Sequence, residues 1–173
     1  KSKEELINKI RNCGVVGLGG ALFPTHIKLN VPQEKKIEYI IINASECEPY
    51  LNSDNRLSIE KAKEIVVGIE IAMHILGVNK VFIGIEDNKG EAIKEFENEL
   101  KNKENIELAI LETKYPQGGE KQLIKAILNK QVPFGKLPLD YEVVVLNVTT
   151  AYWIYNSVIN GYPLIEEIIT VTG

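Results

Sequence analysis

The sequence predicts an α/β fold in which helices flank a mostly parallel β-sheet. Short apolar segments rich in Ile and Val alternate with segments whose apolar residues recur at helical spacing. The short segments are uninterrupted, as in IEYIIIN at residues 37–43, which is typical of strands covered on both faces. Strands that alternate with helices favour a layered fold with a largely parallel sheet.

Five segments are predicted as helices from their apolar period. In the first, Leu6, Ile7 and Ile10 share one side, and the helix ends before Gly14. The second is the longest and stops at Gly77, because glycine commonly terminates helices. The predicted helices cover residues 3–12, 56–76, 89–103, 120–129 and 150–160.

Five strands complete the predicted order of elements. They cover residues 37–43, 80–86, 106–115, 141–148 and 165–171. The segment 130–140, KQVPFGKLPLD, is the one long irregular stretch, and loops of this length are often functional.

Length and composition indicate one globular domain that spans residues 1–173. Hydrophobic residues make up 45% and charged residues 25% of the chain, values typical of a folded protein. The chain begins inside a charged helical pattern and stops at TVTG, directly after a predicted strand. We therefore expect a domain excised from a longer protein.

Charge, hydropathy and cysteine content exclude several classes of protein. The 20 basic and 24 acidic side chains give a net charge of −4, and no basic stripe is interleaved with aromatics, so nucleic acid is not an expected partner. No apolar run reaches the roughly 18 residues of a membrane span, so direct membrane insertion is not expected. Cys13 and Cys47 form no CxxC pair, which favours a reducing, cytoplasmic setting.

Four polar or glycine-rich stretches are candidates for a binding site. Ligands of open α/β sheets bind outside the carboxyl ends of the strands. Three of the stretches directly follow predicted strands, namely NASECEPYLNSD at 43–54, YPQGGEKQ at 115–122 and NVTT at 147–150. The fourth is the glycine-rich loop at 14–20. We expect all four to converge on one rim of the sheet.

The glycine-rich loop is a candidate anion site. Gly17, Gly19 and Gly20 would let the main chain approach a ligand closely and point N–H groups toward an anion. The loop is not the dinucleotide fingerprint, because it follows a helix and Leu22 takes the place of the third glycine. A plain glycine-rich turn is therefore an equal alternative.

Two side chains just after this loop could face the same ligand. Phe23 is a candidate wall for a planar ring, with a position in the core as the alternative. If a helix starts at Pro24, Lys28 lies about one turn into it, near enough to pair with an anion. Plain exposure to water is the alternative for this lysine.

The stretch after the first strand carries two acidic side chains beyond Asn43. Glu46 and Glu48 are two residues apart, so in an extended segment both would project from the same side, and Pro49 supports that geometry. Such a pair suits general acid and base catalysis, a hard metal ion or hydrogen bonds to sugar hydroxyls. A solvated acidic loop is the alternative.

The remaining two stretches carry a second glycine pair and a helix cap. Tyr115 precedes Gly118 and Gly119 at the start of a predicted helix, which predicts another anion site beside an aromatic ring. Glu120 would be a favourable charge at that helix start. In the last stretch, the alternative to a ligand contact is that Thr149 or Thr150 only caps the next helix, with Asn147 closing the turn.

Together these groups describe a pocket for a phosphorylated, planar, sugar-bearing cofactor. The two histidines, His26 and His74, have no serine or cysteine partner in the pattern, so a catalytic triad is not expected.

The stretches GLGGALFPTHIKL, NASECEPY, YPQGGEKQLI and NVTTAYWIY, in this order, resemble the nucleotide-binding domain of RnfC, a component of the Rnf electron-transport complex. That domain is itself similar to the NADH-oxidising flavoprotein of respiratory complex I. The resemblance implies a Rossmann-like domain that binds FMN and exchanges a hydride between NADH and FMN.

The resemblance also implies roles for individual residues. Those implied on the FMN side are Gly17, Gly19, Gly20, Lys28, Asn43, Glu46, Tyr115, Gly118, Asn147 and Thr150. Those implied to meet the dinucleotide are Phe23, Glu48, Glu120 and Lys136. The chain departs from the complex I pattern at Leu22, Ser45, Gly119 and Leu146.

The resemblance further implies partners that this chain does not supply. Full-length members carry cysteine-ligated 4Fe-4S clusters, which two cysteines cannot hold, and they assemble with the other Rnf proteins at the cytoplasmic face of the membrane. Two alternatives stay open, namely a cobalamin-reducing flavoprotein of the same family and an interaction domain without flavin. A third hypothesis is a metal-dependent hydrolase built on Glu46, Glu48 and Asp54.

Overall fold

A four-stranded, fully parallel sheet forms the centre of the protein in a computed structural model that describes residues 1–32 and 34–171. The strands are β1 (Tyr39–Ala44), β2 (Val81–Glu86), β3 (Ile106–Leu111) and β4 (Val143–Asn147), in the spatial order β3-β2-β1-β4. The chain moves outward from β1 to β3 and then crosses back to place β4 on the other side of β1. The direction of winding therefore switches between β1 and β4, where open α/β sheets bind ligands.

The strands β1, β2 and β4 are almost entirely apolar because both faces of the sheet are covered there, whereas the edge strand β3 carries the exposed Glu107. Ile40, Ile41 and Ile42 are fully buried, although successive side chains of a strand point to opposite faces. Ile40 and Ile42 belong to the larger core cluster, and Ile41 belongs to a smaller cluster on the opposite face. The predicted α/β fold with a parallel sheet flanked by helices is thus confirmed.

Six α-helices surround the sheet in the part of the chain that the structure describes. They are α1 (Lys3–Asn12), α2 (Thr25–Leu29), α3 (Ser53–Leu76), α4 (Gly90–Leu100), α5 (Glu120–Leu128) and α6 (Val148–Tyr155). The helices α1, α3, α4 and α6 contribute to the larger core, and α5 covers the other face through Leu123 and Ile124. At the end of α3, Gly77 adopts the left-handed conformation that the sequence predicts for a terminating glycine.

The helices α3 and α6 approach each other closely at Gly68. A Cβ atom at this position would lie 1.9 Å from the carbonyl oxygen of Ala151 on α6. Only glycine fits between the two backbones, so this contact fixes how near α6 lies to α3.

The structure differs from the sequence-based expectations in one predicted strand and at the ends of two other elements. The predicted last strand, 165–171, is wrong, because these residues pair with no strand of the described chain. A short segment rich in isoleucine and valine does not show whether a neighbouring strand is available to pair with it. The strand predicted for 106–115 ends earlier, at Leu111, and the helix predicted for 150–160 is α6 followed by a π-helical turn at Asn156–Asn160.

No helix among the residues that the structure describes combines the length and apolar character needed to cross a membrane.

Candidate functional site

Two adjoining cavities open at the carboxyl end of the sheet, beside the ends of β1 and β4. Their volumes are about 340 Å³ and about 490 Å³. Both are lined by Gly19, Asn43, Gly118, Gly119 and Asn147. We call the combined space the switch-point cleft.

The cleft gathers every site residue predicted from the sequence except Lys136. The residues brought together are Gly17, Gly19, Gly20, Phe23, Lys28, Asn43, Glu46, Glu48, Tyr115, Gly118, Glu120, Asn147 and Thr150. Lys136 instead lies in the exposed loop before β4, where its N–H donates to the carbonyl of Pro133 at 3.2 Å. The expected convergence of the four stretches on one rim is thus what the structure has.

Two asparagines at the strand ends form the floor of the cleft. Asn43 on β1 and Asn147 on β4 are partners in the parallel register. The Asn43 side chain donates from Nδ2 to the carbonyl of Gly118 at 2.8 Å and accepts the Ser45 N–H at 3.0 Å. It therefore fixes the second glycine segment against the end of β1.

Asn147, and not a threonine, caps α6. Its Oδ1 accepts the N–H groups of Thr149 at 2.8 Å and Thr150 at 3.2 Å. The alternative in which Thr149 or Thr150 caps α6 is wrong, because both lie inside the first turn and their hydroxyls have other partners. The Thr150 hydroxyl accepts the N–H of Leu18 at 2.9 Å and so ties the glycine-rich loop to α6.

The glycine-rich loop closes on itself above the floor. The Gly17 N–H donates to the carbonyl of Phe23 at 2.8 Å, and the Leu22 N–H donates to the carbonyl of Gly17 at 3.1 Å. Gly20 has φ +107°, a conformation that favours glycine. Phe23 is 48% exposed and lines the cleft, so it is a wall of the site and not part of the core.

Two glycines at the cleft permit close packing against neighbouring residues. A Cβ atom at Gly118 would lie 2.5 Å from the carbonyl oxygen of Ser45, and one at Gly19 would lie 3.3 Å from Cβ of Asn147. Gly119 precedes α5 directly, so the positive end of that helix dipole lies at the cleft. This combination suits an anionic group held by backbone N–H donors.

Lys28, the positive charge expected at the cleft, forms an ion pair with a carboxylate. The Lys28 Nζ lies 3.3 Å from Oε1 of Glu120, and both side chains are partly exposed. The pair joins α2 to the start of α5 across the mouth of the smaller cavity. A bound anion would compete with Glu120 for the lysine.

The two acidic residues after β1 have different environments. The Glu46 carboxylate accepts the hydroxyl of Ser53 at 3.2 Å and the N–H of Asp54 at 3.1 Å on Oε1, and the Asn55 N–H at 3.3 Å on Oε2. Glu46 thus caps α3, while Glu48 is exposed at the rim of the larger cavity. Both side chains line the larger cavity, but only the Glu46 carboxylate also accepts hydrogen bonds from the start of α3.

The acidic side chains of the described residues are not arranged in space as a metal centre. Across residues 1–32 and 34–171, His, Cys, Asp and Glu side chains form no group of three that could hold a metal ion. The hypothesis of a metal-dependent hydrolase built on Glu46, Glu48 and Asp54 is therefore not supported by their arrangement.

Asp54 is a member of the site that the sequence pattern did not assign to nucleotide binding. Its carboxylate accepts Asn147 Nδ2 at 2.7 Å and the Thr149 hydroxyl at 2.6 Å. Burial raises the pKa of Asp54 above its ordinary value; these two hydrogen bonds oppose the rise, and the Glu46 charge adds to it. Asp54 is the second residue of α3, and nothing in the sequence around it indicates that its side chain contacts a residue of β4.

Glu86, at the end of β2, is a second acidic residue that sequence reasoning missed. It is 1% exposed, and neither carboxylate oxygen has a hydrogen-bond partner among the described residues. Burial raises the pKa of this carboxyl, and the nearby charge of Lys89 only partly offsets the effect. A charged residue that ends an apolar strand was the available signal.

The cleft fits a flavin mononucleotide in size and in chemistry. Cofactor pockets usually span about 300 to 1,000 Å³ and combine apolar walls with a few placed polar groups. Here the exposed face of Phe23, the close backbones at Gly19 and Gly118 and the start of α5 provide such groups.

Comparison with known proteins places this chain among FMN-binding domains. Residues 10–156 match the model of a family described as the Nuo51 FMN-binding domain. The chain is 49% identical over 164 residues to the C subunit of the Na⁺-translocating ferredoxin:NAD⁺ oxidoreductase complex of Acetobacterium woodii, covering 95% of this chain and 37% of that protein. It is 44% identical over 172 residues to the proton-translocating counterpart of Clostridium ljungdahlii, covering 99% and 37%.

A third relative has a similar identity and a longer chain. The C subunit of the ion-translocating oxidoreductase complex of Citrobacter koseri is 48% identical over 173 residues, which are 100% of this chain and 24% of that protein. The chain thus spans little more than a third of these relatives at most.

A crystal structure of an NAD⁺-reducing [NiFe]-hydrogenase in the H2-reduced state superposes with a TM-score of 0.78 at 22% identity, covering 91% of this chain and 31% of that chain. At this identity, the superposition shows a shared fold. The resemblance to RnfC is confirmed by the named relatives. The chain belongs to the family of the Nuo51 FMN-binding domain.

Proposed function

We propose that this chain binds FMN and NAD(H) in the switch-point cleft, as the flavin domain of an ion-translocating ferredoxin:NAD⁺ oxidoreductase. The observation that carries the proposal is the meeting of two glycine segments and the start of α5 at the point where the sheet switches direction. Membership of an FMN-binding family and the names of the relatives support it.

The chain's own residues would bind and orient the cofactor. Gly19 and Gly118 line both cavities and would offer main-chain atoms to the cofactor, and Lys28 would provide a positive charge beside Glu120. Asn43 and Asn147 keep the segments of the cleft at fixed positions on the sheet.

The dinucleotide would meet the outer part of the cleft. Phe23 offers an exposed aromatic face for stacking, and Glu48 is an exposed carboxylate that can accept hydrogen bonds from sugar hydroxyls. When bound, FMN supplies the capacity to take a hydride and release electrons singly, and the protein supplies alignment.

Electrons would leave this domain toward iron–sulfur centres located elsewhere. Cys13 and Cys47 are the chain's only cysteines, and a 4Fe-4S cluster usually takes four. We propose that such clusters, and the other Rnf proteins, lie outside this chain and that the domain works at the cytoplasmic face of the membrane complex.

FMN titration of the purified chain, followed by quenching of flavin fluorescence, tests the proposal. We expect saturable binding, and anaerobic NADH should then bleach the flavin absorbance. In Gly118→Ala the new methyl group would press on the Ser45 carbonyl, so we expect binding to weaken at least about tenfold.

Gly90→Ala is the matched control, because a Cβ at Gly90 meets no described atom within 4 Å. A chain that is folded but does not bind FMN would overturn the proposal and leave the interaction domain without flavin as the better hypothesis. Binding without bleaching by NADH would retain the flavin site and reject the hydride exchange.

A further inference from the structure

The switch-point cleft contains a continuous set of hydrogen bonds with Asp54 at its centre. On one side, the Asp54 N–H donates to Glu46 at 3.1 Å. On the other, the Asp54 carboxylate accepts Asn147 Nδ2 at 2.7 Å, and the Asn147 Oδ1 accepts the Thr150 N–H at 3.2 Å. The Thr150 hydroxyl then accepts the Leu18 N–H at 2.9 Å in the glycine-rich loop.

Asp54 determines which way the Asn147 amide points. An ionised carboxylate can only accept hydrogen bonds, so it selects the orientation in which Nδ2 of Asn147 faces Asp54. Oδ1 is then free to accept the N–H groups at the start of α6. In the flipped orientation, the NH₂ group would face two N–H donors, and the cap of α6 would be lost.

The position of Asn147 in turn limits the position of the glycine-rich loop. A Cβ at Gly19 would lie only 3.3 Å from Cβ of Asn147, so the two residues are in contact at the floor of the cleft. Thr150, whose N–H is held by Asn147, binds the N–H of Leu18 beside Gly19.

We propose that Asp54 is a positioning residue of the flavin site, which holds the glycine-rich loop in its binding geometry through Asn147 and Thr150. This inference rests on the proposed function for its effect on FMN, but the loop geometry can be measured without any ligand.

The test compares Asp54→Ala with Asp54→Asn, and Asp87→Asn is the matched control. Alanine removes both acceptors. Asparagine can keep both contacts, because its oxygen can accept from Asn147 and its NH₂ can donate to the Thr149 hydroxyl. Asp87 accepts the N–H and hydroxyl of Thr113 in a similar way but is exposed and lies outside the cleft.

The first measurement is amide hydrogen exchange at Leu18 in the ligand-free chain, by NMR. We expect exchange in Asp54→Ala to be about tenfold faster than in the wild type, the size of effect given by the loss of one good hydrogen bond. Asp54→Asn and Asp87→Asn should stay within about threefold of the wild type.

The second measurement is the dissociation constant of FMN, again by fluorescence quenching. We expect Asp54→Ala to bind FMN about tenfold more weakly, with Asp54→Asn restored to near the wild-type value. Thr149→Val removes one donor to Asp54 and keeps the branched shape, so it gives a milder version if Asp54→Ala does not fold.

The outcomes separate the two proposals. Unchanged Leu18 exchange in Asp54→Ala would overturn the positioning role, whether or not FMN binds. Equal loss of affinity in Asp54→Ala and Asp54→Asn would also overturn it, because it would mean that charge and not hydrogen bonding is required. If the wild type binds no FMN, the proposed function fails, and the exchange measurement still decides the role of Asp54.

Discussion

Replacing Gly68 with Ala should destabilise the protein strongly, because α3 and α6 touch there. The added Cβ would lie 1.9 Å from the carbonyl oxygen of Ala151, 2.8 Å from its carbonyl carbon and 3.3 Å from the N atom of Tyr155. All three are backbone atoms of α6, which cannot turn aside as a side chain can. To restore ordinary contact at 3.4 Å, the two helices must separate by about 1.5 Å.

We expect the free energy of unfolding to fall by about 3 kcal/mol, the upper part of the range for overpacked cores. This is a large fraction of the 5 to 15 kcal/mol, approximately, that stabilises a typical domain. The same shift would move the start of α6, where Asn147 and Thr150 hold the cleft. FMN binding should therefore weaken together with stability.

Urea unfolding followed by the circular dichroism of the helices measures this change. Gly90→Ala is the control, since a Cβ at that position, also in a helix, meets no described atom within 4 Å and should be neutral or slightly stabilising. A Gly68→Ala protein whose unfolding free energy lies within about 0.5 kcal/mol of the wild type would refute the close approach of α3 and α6.

Three further changes test other parts of the structure. The folded-state pKa of the Glu86 carboxyl is raised above its unfolded-state pKa of about 4.3. The contribution of this carboxyl to stability is therefore fully present below the unfolded-state pKa and is lost as the pH rises through the folded-state pKa. Glu86→Gln should therefore be more stable than the wild type at about pH 7 and lose that advantage at about pH 4; urea unfolding at both pH values that shows no such difference would contradict this. Glu46→Gln leaves one acceptor for the start of α3, and the unfolding free energy should fall by about 1 kcal/mol, whereas an unchanged value would argue against the cap. Lys28→Met should weaken FMN binding at low salt, with a difference from the wild type that shrinks as salt is added; a salt-independent difference would show that the lysine charge is not what matters.

The order of elements and the convergence of the motifs were predictable from the sequence. The run of isoleucines at 40–42 required a strand covered on both faces, and the burial of all three residues confirms it. A parallel α/β sheet then brings the segments after its strands to one edge. The glycine segments that contain Gly19 and Gly118 were recognisable as places where the main chain can lie close to another group, and at Gly118 a Cβ would lie only 2.5 Å from the carbonyl oxygen of Ser45.

The failures have a common physical cause, namely that periodicity reports burial and not partners. Residues 165–171 have the composition of a strand, but the described chain offers them no neighbouring strand. Glu46 and Glu48 both line the larger cavity, but their spacing could not show that the Glu46 carboxylate accepts three hydrogen bonds from the start of α3.

The sequence by itself determined the α/β class, the buried strands and the glycines around which the cleft is built. Only the tertiary structure decided which polar groups meet there. Asp54 and Asn147 are 93 residues apart, and they are hydrogen-bonded because β4 returns to pair with β1. Lys28 and Glu120 are 92 residues apart and form an ion pair because α2 and the start of α5 border the same cavity. Local patterns follow from backbone periodicity, whereas contacts between residues so far apart in sequence depend on the spatial order of the strands in the sheet.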